Sequence, residues 1–165
     1  MSGAIVTIVG NPRPASRTHL VARTLAGEIA RARGGGKLVD VDLATLAPLL
    51  LTADNGSVTA ALDLVLSAEV LVVASPTYKA TYTGLLKAFL DRIGGGALAG
   101  TPAVPIMLGG APVHALAVDV HLTPLLLELG ASIPRRGLFV LESGLDGFAA
   151  AASAWADAAA PRLRG

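Results

Sequence analysis

Two runs of apolar residues limit the architecture more than any other feature of the chain. Val70-Leu71-Val72-Val73-Ala74 contains no polar residue, and Ala4-Ile5-Val6-Thr7-Ile8-Val9 contains a single hydroxyl. A strand with one face in water alternates polar and apolar side chains. A strand that does not alternate is covered on both faces, which is the condition of a central strand in a parallel sheet flanked by helices. By contrast, Lys37-Leu38-Val39-Asp40-Val41-Asp42-Leu43 alternates with period two and reads as an edge strand.

The segments between these runs follow helical spacing. The first helix is predicted from about Ser16 to Arg33, with Leu20, Ala22, Leu25, Ile29 and Ala30 as its apolar stripe, and Gly34-Gly35-Gly36 ends it. A loop over Ala44 to Gly56, plugged by Leu49-Leu50-Leu51, leads to a short second helix, Val58 to Ser67. The third helix runs from about Thr83 to Arg92, and a fourth strand follows at Ala103 to Leu108. A nearly all-apolar fourth helix, Val113 to Leu129, leads to a fifth strand around Ile133 to Leu141 and an Ala-rich helix from Leu145 to Ala160. Five β–α units in 165 residues predict one α/β domain. It is a flavodoxin-like three-layer α/β/α sandwich with a five-stranded parallel sheet of order 2-1-3-4-5.

Composition excludes several classes of function. The net charge of +1 creates no field to attract nucleic acid or an anionic membrane. The absence of cysteine removes disulfides, thiolate nucleophiles and thiolate metal sites. Met1-Ser2-Gly3 has no basic signal-peptide region, and no apolar stretch reaches the ~18 residues of a membrane span, so a cytoplasmic protein is expected. Hydrophobic residues make up 53% and charged residues 15%, with mean hydropathy +0.63. Soluble domains carry roughly 25% charged residues, so this excess of apolar surface predicts a homo-oligomer.

In a sheet of this order, ligands bind beyond the carboxyl ends of the strands where the winding reverses, between the first and third strands. Three unusual loops converge there. The first is Gly10-Asn11-Pro12-Arg13-Pro14-Ala15-Ser16-Arg17-Thr18, which joins a buried strand to a helix N-terminus. Free N–H groups, the helix dipole, the hydroxyls of Ser16 and Thr18 and the guanidinium groups of Arg13 and Arg17 suit a phosphate. The second, Ser75-Pro76-Thr77-Tyr78-Lys79 onward to Thr83, offers backbone amides and an aromatic face. The third, Gly109-Gly110, lets a flat ring approach the backbone. A phosphate at one end and a planar heterocycle at the other match FMN. No Gly-x4-Gly-Lys-Ser/Thr and no Gly-x-Gly-x-x-Gly pattern is present. The first two loops also have plainer readings: a helix cap for the first, a turn for the second. His114, His121 and Asp119 on the fourth helix read as packing, interface or capping residues.

At these residues the chain resembles the NAD(P)H-dependent FMN reductase family, and most closely its sulfonate-utilisation, two-component branch. The likeness is carried by the first loop, by Ser75-Pro76-Thr77-Tyr78-Lys79-Ala80-Thr81-Tyr82-Thr83-Gly84-Leu85-Leu86-Lys87, and by Gly109-Gly110-Ala111-Pro112-Val113-His114 with Leu116-Ala117-Val118-Asp119. It spans roughly Ile5 to Glu128. The resemblance implies that Ser16, Arg17 and Thr18 bind the FMN phosphate, with Gly10 in the same loop and Arg13 reaching the phosphate of FMN or of NADPH. It further implies that Pro76, Thr77, Tyr78 and Lys79 line the ribityl chain and ring, with Gly109 and Gly110 against the ring, and that Ser75 and His114 belong to the second and third flavin loops. Hydride then passes from NADPH or NADH to the flavin N5, for which no protein acid, base or metal is named. The implied partners are FMN, NAD(P)H, further copies of the chain as a dimer or tetramer, and a flavin-dependent monooxygenase that takes the reduced flavin.

That branch carries an inserted tyrosine or histidine in the fourth helix, which produces a π-bulge at a tetramer interface. Here the tyrosine register falls on Val120, with His121 beside it, so either His121 takes the inserted role or the bulge is absent. Two other readings use overlapping motifs. One keeps FMN as a prosthetic group and reduces quinones, azo dyes or metal ions. The other is a flavodoxin-type electron carrier, which the arginines of the first loop and the lack of acidic charge disfavour.

Overall fold

A computed structural model describes residues 3–52 and 55–163. Its five strands are β1 (Ala4–Val9), β2 (Lys37–Asp42), β3 (Val70–Pro76), β4 (Ala103–Gly109) and β5 (Leu138–Leu141). They form one parallel sheet in the order β2-β1-β3-β4-β5, the predicted flavodoxin-like arrangement. β3 and β4 are buried at every position, as strands covered on both faces must be.

The helices divide between the two faces. α1 (Arg17–Arg33) and α5 (Phe148–Ala159) cover one face, where Val21, Leu25 and Ile29 meet Val70, Val72, Ile106 and Trp155. α2 (Gly56–Leu66), α3 (Gly84–Leu90) and α4 (Thr123–Glu128) cover the other, with Leu86, Phe89 and Leu126 against Ile8, Val73 and Met107. Phe89 is fully buried, and burial of a side chain of that size stabilises by about 1.5–3 kcal/mol. Arg31 ties the first pair of helices together: it donates to Glu28 (2.6 Å) and to Asp157 of α5 (2.7 Å).

Several expectations shift. On α1 the buried stripe is Thr18, Val21, Ala22, Leu25, Ala26 and Ile29, while Leu20 is 63% exposed. Leu20 lies out of phase with that i, i+3/i+4 series and points outward. Of the leucine plug, Leu50 is buried but Leu51 is exposed, and the surrounding loop contains two 3-10 turns, Leu43–Thr45 and Ala47–Leu49. Ala53 and Asp54 of that loop lie outside the described residues.

β5 starts at Leu138, not near Ile133. Pro134 has no N–H to give to a ladder, and a Cβ on Gly137 would stand 2.7 Å from the Pro105 carbonyl, so the chain bends in before it pairs. A 3-10 stretch, Glu142–Gly147, replaces the predicted start of the last helix.

The predicted fourth helix is not continuous α-helix. It comprises a 3-10 turn (Pro112–His114), a π-helical segment (Val118–Leu122) and then α4. The Thr123 N–H reaches back to the Val118 carbonyl, which is the wide π register. Pro124 supplies the reason: it has no N–H for the Val120 carbonyl, and its ring crowds that carbonyl in a regular α-turn. The bulge left open by the sequence is therefore present, with Val120 and His121 inside it.

Candidate functional site

A cavity of about 480 Å³ opens beyond the carboxyl ends of β1, β3 and β4. The first loop forms one wall through Asn11 and Arg13 to Thr18. Pro76, Tyr78 and Leu108 form the facing wall, and Glu142 stands at the end of β5.

The first loop is held in shape by its own side chains. The Asn11 carboxamide accepts from the Arg13 N–H (2.9 Å) and donates to the Thr18 hydroxyl (3.0 Å), closing an Asx turn over the helix entrance. Ser16 is the N-cap of α1, and its Oγ accepts from the His19 N–H (3.2 Å). Ala15, at φ +49°, donates its N–H to Asp42 Oδ2 (3.2 Å). The N–H groups of Arg17 and Thr18 open the helix and have no intrahelical acceptor. Arg13 and Arg17 are exposed, whereas Thr18 is 1% exposed and its hydroxyl is engaged by Asn11.

The base of the site is packed tightly. Thr83 caps α3 by accepting from the Leu86 N–H, and its hydroxyl donates to the Gly10 carbonyl. A Cβ on Gly10 would lie 2.7 Å from Leu86 Cβ, so glycine is needed there to seat the first loop on α3. Ser75 is fully buried; its Oγ donates to the Pro76 carbonyl (2.8 Å) and accepts from the Thr83 N–H (3.0 Å). Gly10 and Ser75 thus shape the loops and do not line the cavity.

Beyond Pro76 the chain makes a tight hairpin. Tyr78 and Thr81 exchange two backbone hydrogen bonds (2.9 and 3.2 Å), with Lys79 and Ala80 at φ +51° and +65° between them. Both central residues of such a turn need positive φ, a conformation that costs L-residues about 1–2 kcal/mol each. Among the described residues, the three non-glycine positive-φ positions, Ala15, Lys79 and Ala80, all fall in these two loops. Backbone strain of this kind concentrates at functional sites. Lys79 is exposed at the tip, outside the cavity wall.

The third loop contributes two different glycines. A Cβ on Gly109 would come within 2.7 Å of Phe139 Cζ and 3.2 Å of Thr77 Oγ1; one on Gly110 would meet nothing within 4 Å. Thr77 Oγ1 is itself buried with no hydrogen-bond partner. A buried hydroxyl left unpaired is costly, and in a native fold it calls for a ligand or water to complete it. His114 is half-buried on the turn that follows, outside the cavity wall. Thr77, Gly109 and Gly110 stand outside the cavity's lining. The features fit FMN: two guanidinium groups and a helix N-terminus for the phosphate, and the orphaned Thr77 hydroxyl with open space at Gly110 for the ring.

Five residues of the cavity wall were not among the predicted site residues: Asn11, Pro14 and Ala15 of the first loop, Leu108 of β4, and Glu142. Asn11 had a legible signal in the Asn-Pro step, which favours an Asx turn. Glu142 had none, because only the tertiary fold brings the end of β5 to the first loop.

The family described as NADPH-dependent FMN reductase matches residues 4–146. An FMN reductase (NADPH) of Escherichia coli strain K12 is 34% identical over 145 residues, covering 84% of this chain and 73% of that protein. An NADH-dependent FMN reductase, SfnF, of Pseudomonas putida is 34% identical over 151 residues, covering 86% and 79%. The crystal structure of an NADH:FMN oxidoreductase in its apo form superposes with a TM-score of 0.89 at 34% identity, covering 100% of this chain and 91% of the other. Fold, site chemistry and kinship agree: the chain belongs to the NADPH-dependent FMN reductase family and is an oxidoreductase that reduces FMN with NAD(P)H.

Proposed function

We propose that FMN enters this cavity with its phosphate on the first loop and its ring toward the second and third, and that it leaves again as a reduced product. The observation that carries the placement is the convergence in one cavity of two exposed arginines with the opening N–H groups of α1, facing Pro76 and Tyr78. Arg17, Ser16 and the Arg17 and Thr18 N–H groups hold the phosphate by charge-assisted hydrogen bonds. Arg13, one turn out, serves the phosphate of FMN or of NADPH. Thr77 and Tyr78 position the ribityl chain and the ring, Lys79 closes over the edge, and Gly109 and Gly110 leave the ring room. His114 borders the third loop.

When bound, FMN supplies the hydride acceptor for the reduced nicotinamide. The protein's part is to hold the two rings at reacting distance and to exclude water. Tyr78 is 46% exposed and Gly110 faces open space, so this end of the site has room for a second flat ring.

The π-segment and the turn before it carry Val113, Leu116 and Val120, exposed at 81%, 61% and 56%, with Leu127 of α4 at 53%. We assign this apolar face to a homo-oligomer interface, as the composition predicts. Among the described residues no helix is long and apolar enough to cross a membrane. An exchangeable reduced flavin suits a flavin-dependent monooxygenase as the consuming partner, in the cytoplasm.

Purification followed by a visible spectrum and NADPH or NADH consumption tests this reading. A colourless protein that oxidises the nicotinamide only when FMN is added is expected. A yellow protein with slow turnover on free FMN would instead favour a prosthetic flavin, and the absence of any flavin affinity would rule out both.

A further inference from the structure

Among the described residues that line the cavity, Glu142 is the one carboxylate, and it is paired with Arg17: Oε2 lies 3.2 Å from Nη1. The two residues come from opposite parts of the sheet. Arg17 opens α1 after β1, and Glu142 is the first residue after β5, at the far edge. Neither is locked in place by burial, the side chains being 59% and 40% exposed. An internal carboxylate therefore stands where a ligand anion would meet the same guanidinium.

We propose that Glu142 is an affinity-setting residue, an internal anion that holds Arg17 until the flavin phosphate displaces it. This rests on the assignment of the phosphate to the first loop. A carboxylate and a phosphate dianion on one arginine repel each other, so binding must separate the Arg17–Glu142 pair. The cost falls on ligands with a phosphate and spares those without one. Glu142 thereby weakens FMN selectively, and a weaker hold on the phosphate favours exchange of FMN over its retention.

Exposed ion pairs set the scale, so removal of the Glu142 charge is expected to tighten FMN about two- to fivefold. Calorimetric titration of FMN and of riboflavin into the wild-type protein, Glu142→Gln, Arg17→Ala and the double variant tests this, with Glu142→Ala as a second removal of the carboxylate. The expected result is tighter FMN and unchanged riboflavin in both Glu142 variants, with no gain from Glu142→Gln once Arg17 is alanine. Unchanged FMN affinity in the Glu142 variants, an equal gain for riboflavin, or a gain that persists in the Arg17→Ala background would each overturn the proposal. If Arg17→Ala weakens FMN and riboflavin alike, the phosphate assignment itself is wrong. If it weakens FMN alone while the Glu142 variants do nothing, that assignment stands and only the displacement fails.

Discussion

The two halves of the site are built differently. On the proposed phosphate side the first loop is braced: Asn11 accepts from the Arg13 N–H, Asp42 from the Ala15 N–H and Ser16 from the His19 N–H, and Thr83 pins Gly10 from below. The proposed ring side is less complete, with an unpartnered hydroxyl on Thr77 and an open face at Gly110. A loop braced by its own side chains keeps its shape without ligand, so its residues split between those that make the shape and those that face the cavity. On the ring side, glycines adjacent in sequence divide the same labour.

Substitutions can break this comparison. The largest effect is expected from Thr83→Val, which strands the Gly10 carbonyl and removes the α3 cap. A loss of about 2–4 kcal/mol should appear in chemical denaturation. Gly10→Ala follows, at about 1–3 kcal/mol, because Leu86 Cβ is fixed to the α3 backbone and cannot turn aside. If either variant leaves the denaturation midpoint in place, the phosphate half does not depend on the supports described here.

Arg17→Ala should spare stability and weaken FMN about tenfold, near 1.4 kcal/mol, with riboflavin unchanged in the same titration. Gly110→Ala sharpens the contrast with its neighbour. It should fold normally and weaken FMN and riboflavin equally, by less than tenfold, whereas Gly109→Ala should lower the melting temperature as Phe139 is pushed away. Equal melting temperatures for the two glycine variants would erase the distinction.

The smallest effect lies away from the site. Hydrogen bonds from Arg31, then Ser153, hold the Glu28 carboxyl below its ordinary 4.5, and Arg33, then the Gly3 backbone, does the same for Glu69. Folded values below unfolded ones stabilise above pH 4.5, and that contribution is lost as pH falls through the folded values. Both carboxylates are solvent-accessible, although Arg33 is largely buried, so the slope in an acid titration of stability should be slight, and Glu28→Gln should flatten it without altering the FMN-to-riboflavin affinity ratio.

Much of this was legible in the residues. The strand runs announced a parallel sheet because side chains covered on both faces cannot alternate. The Gly-Asn-Pro-Arg-Pro-Ala-Ser-Arg-Thr loop and the Pro-Thr-Tyr loop pointed to one edge of that sheet because the strand order dictates where β1 and β3 end. Other features escaped for physical reasons. Leu20 and Leu51 are apolar but exposed, since hydrophobicity alone does not fix which way a side chain faces. Lys79 and Ala80 occupy a turn that favours glycine or asparagine, and the backbone hydrogen bonds between Tyr78 and Thr81 hold it against that local preference.

The sequence by itself determined the sheet, the family and the place of the first loop, because each is written in contiguous residues whose spacing or chemistry has few solutions. Only the tertiary structure decided how the groups of the first two loops are spent: the Thr18 hydroxyl on Asn11, the Ser75 hydroxyl on its own loop, and the Arg17 guanidinium on Glu142. The π-segment draws on both: Pro124 is legible in the sequence, and the packing of Val118 and Leu122 into the core selects one register. Partners drawn from distant strands leave no local pattern, so they become visible only once the sheet brings the strand ends together.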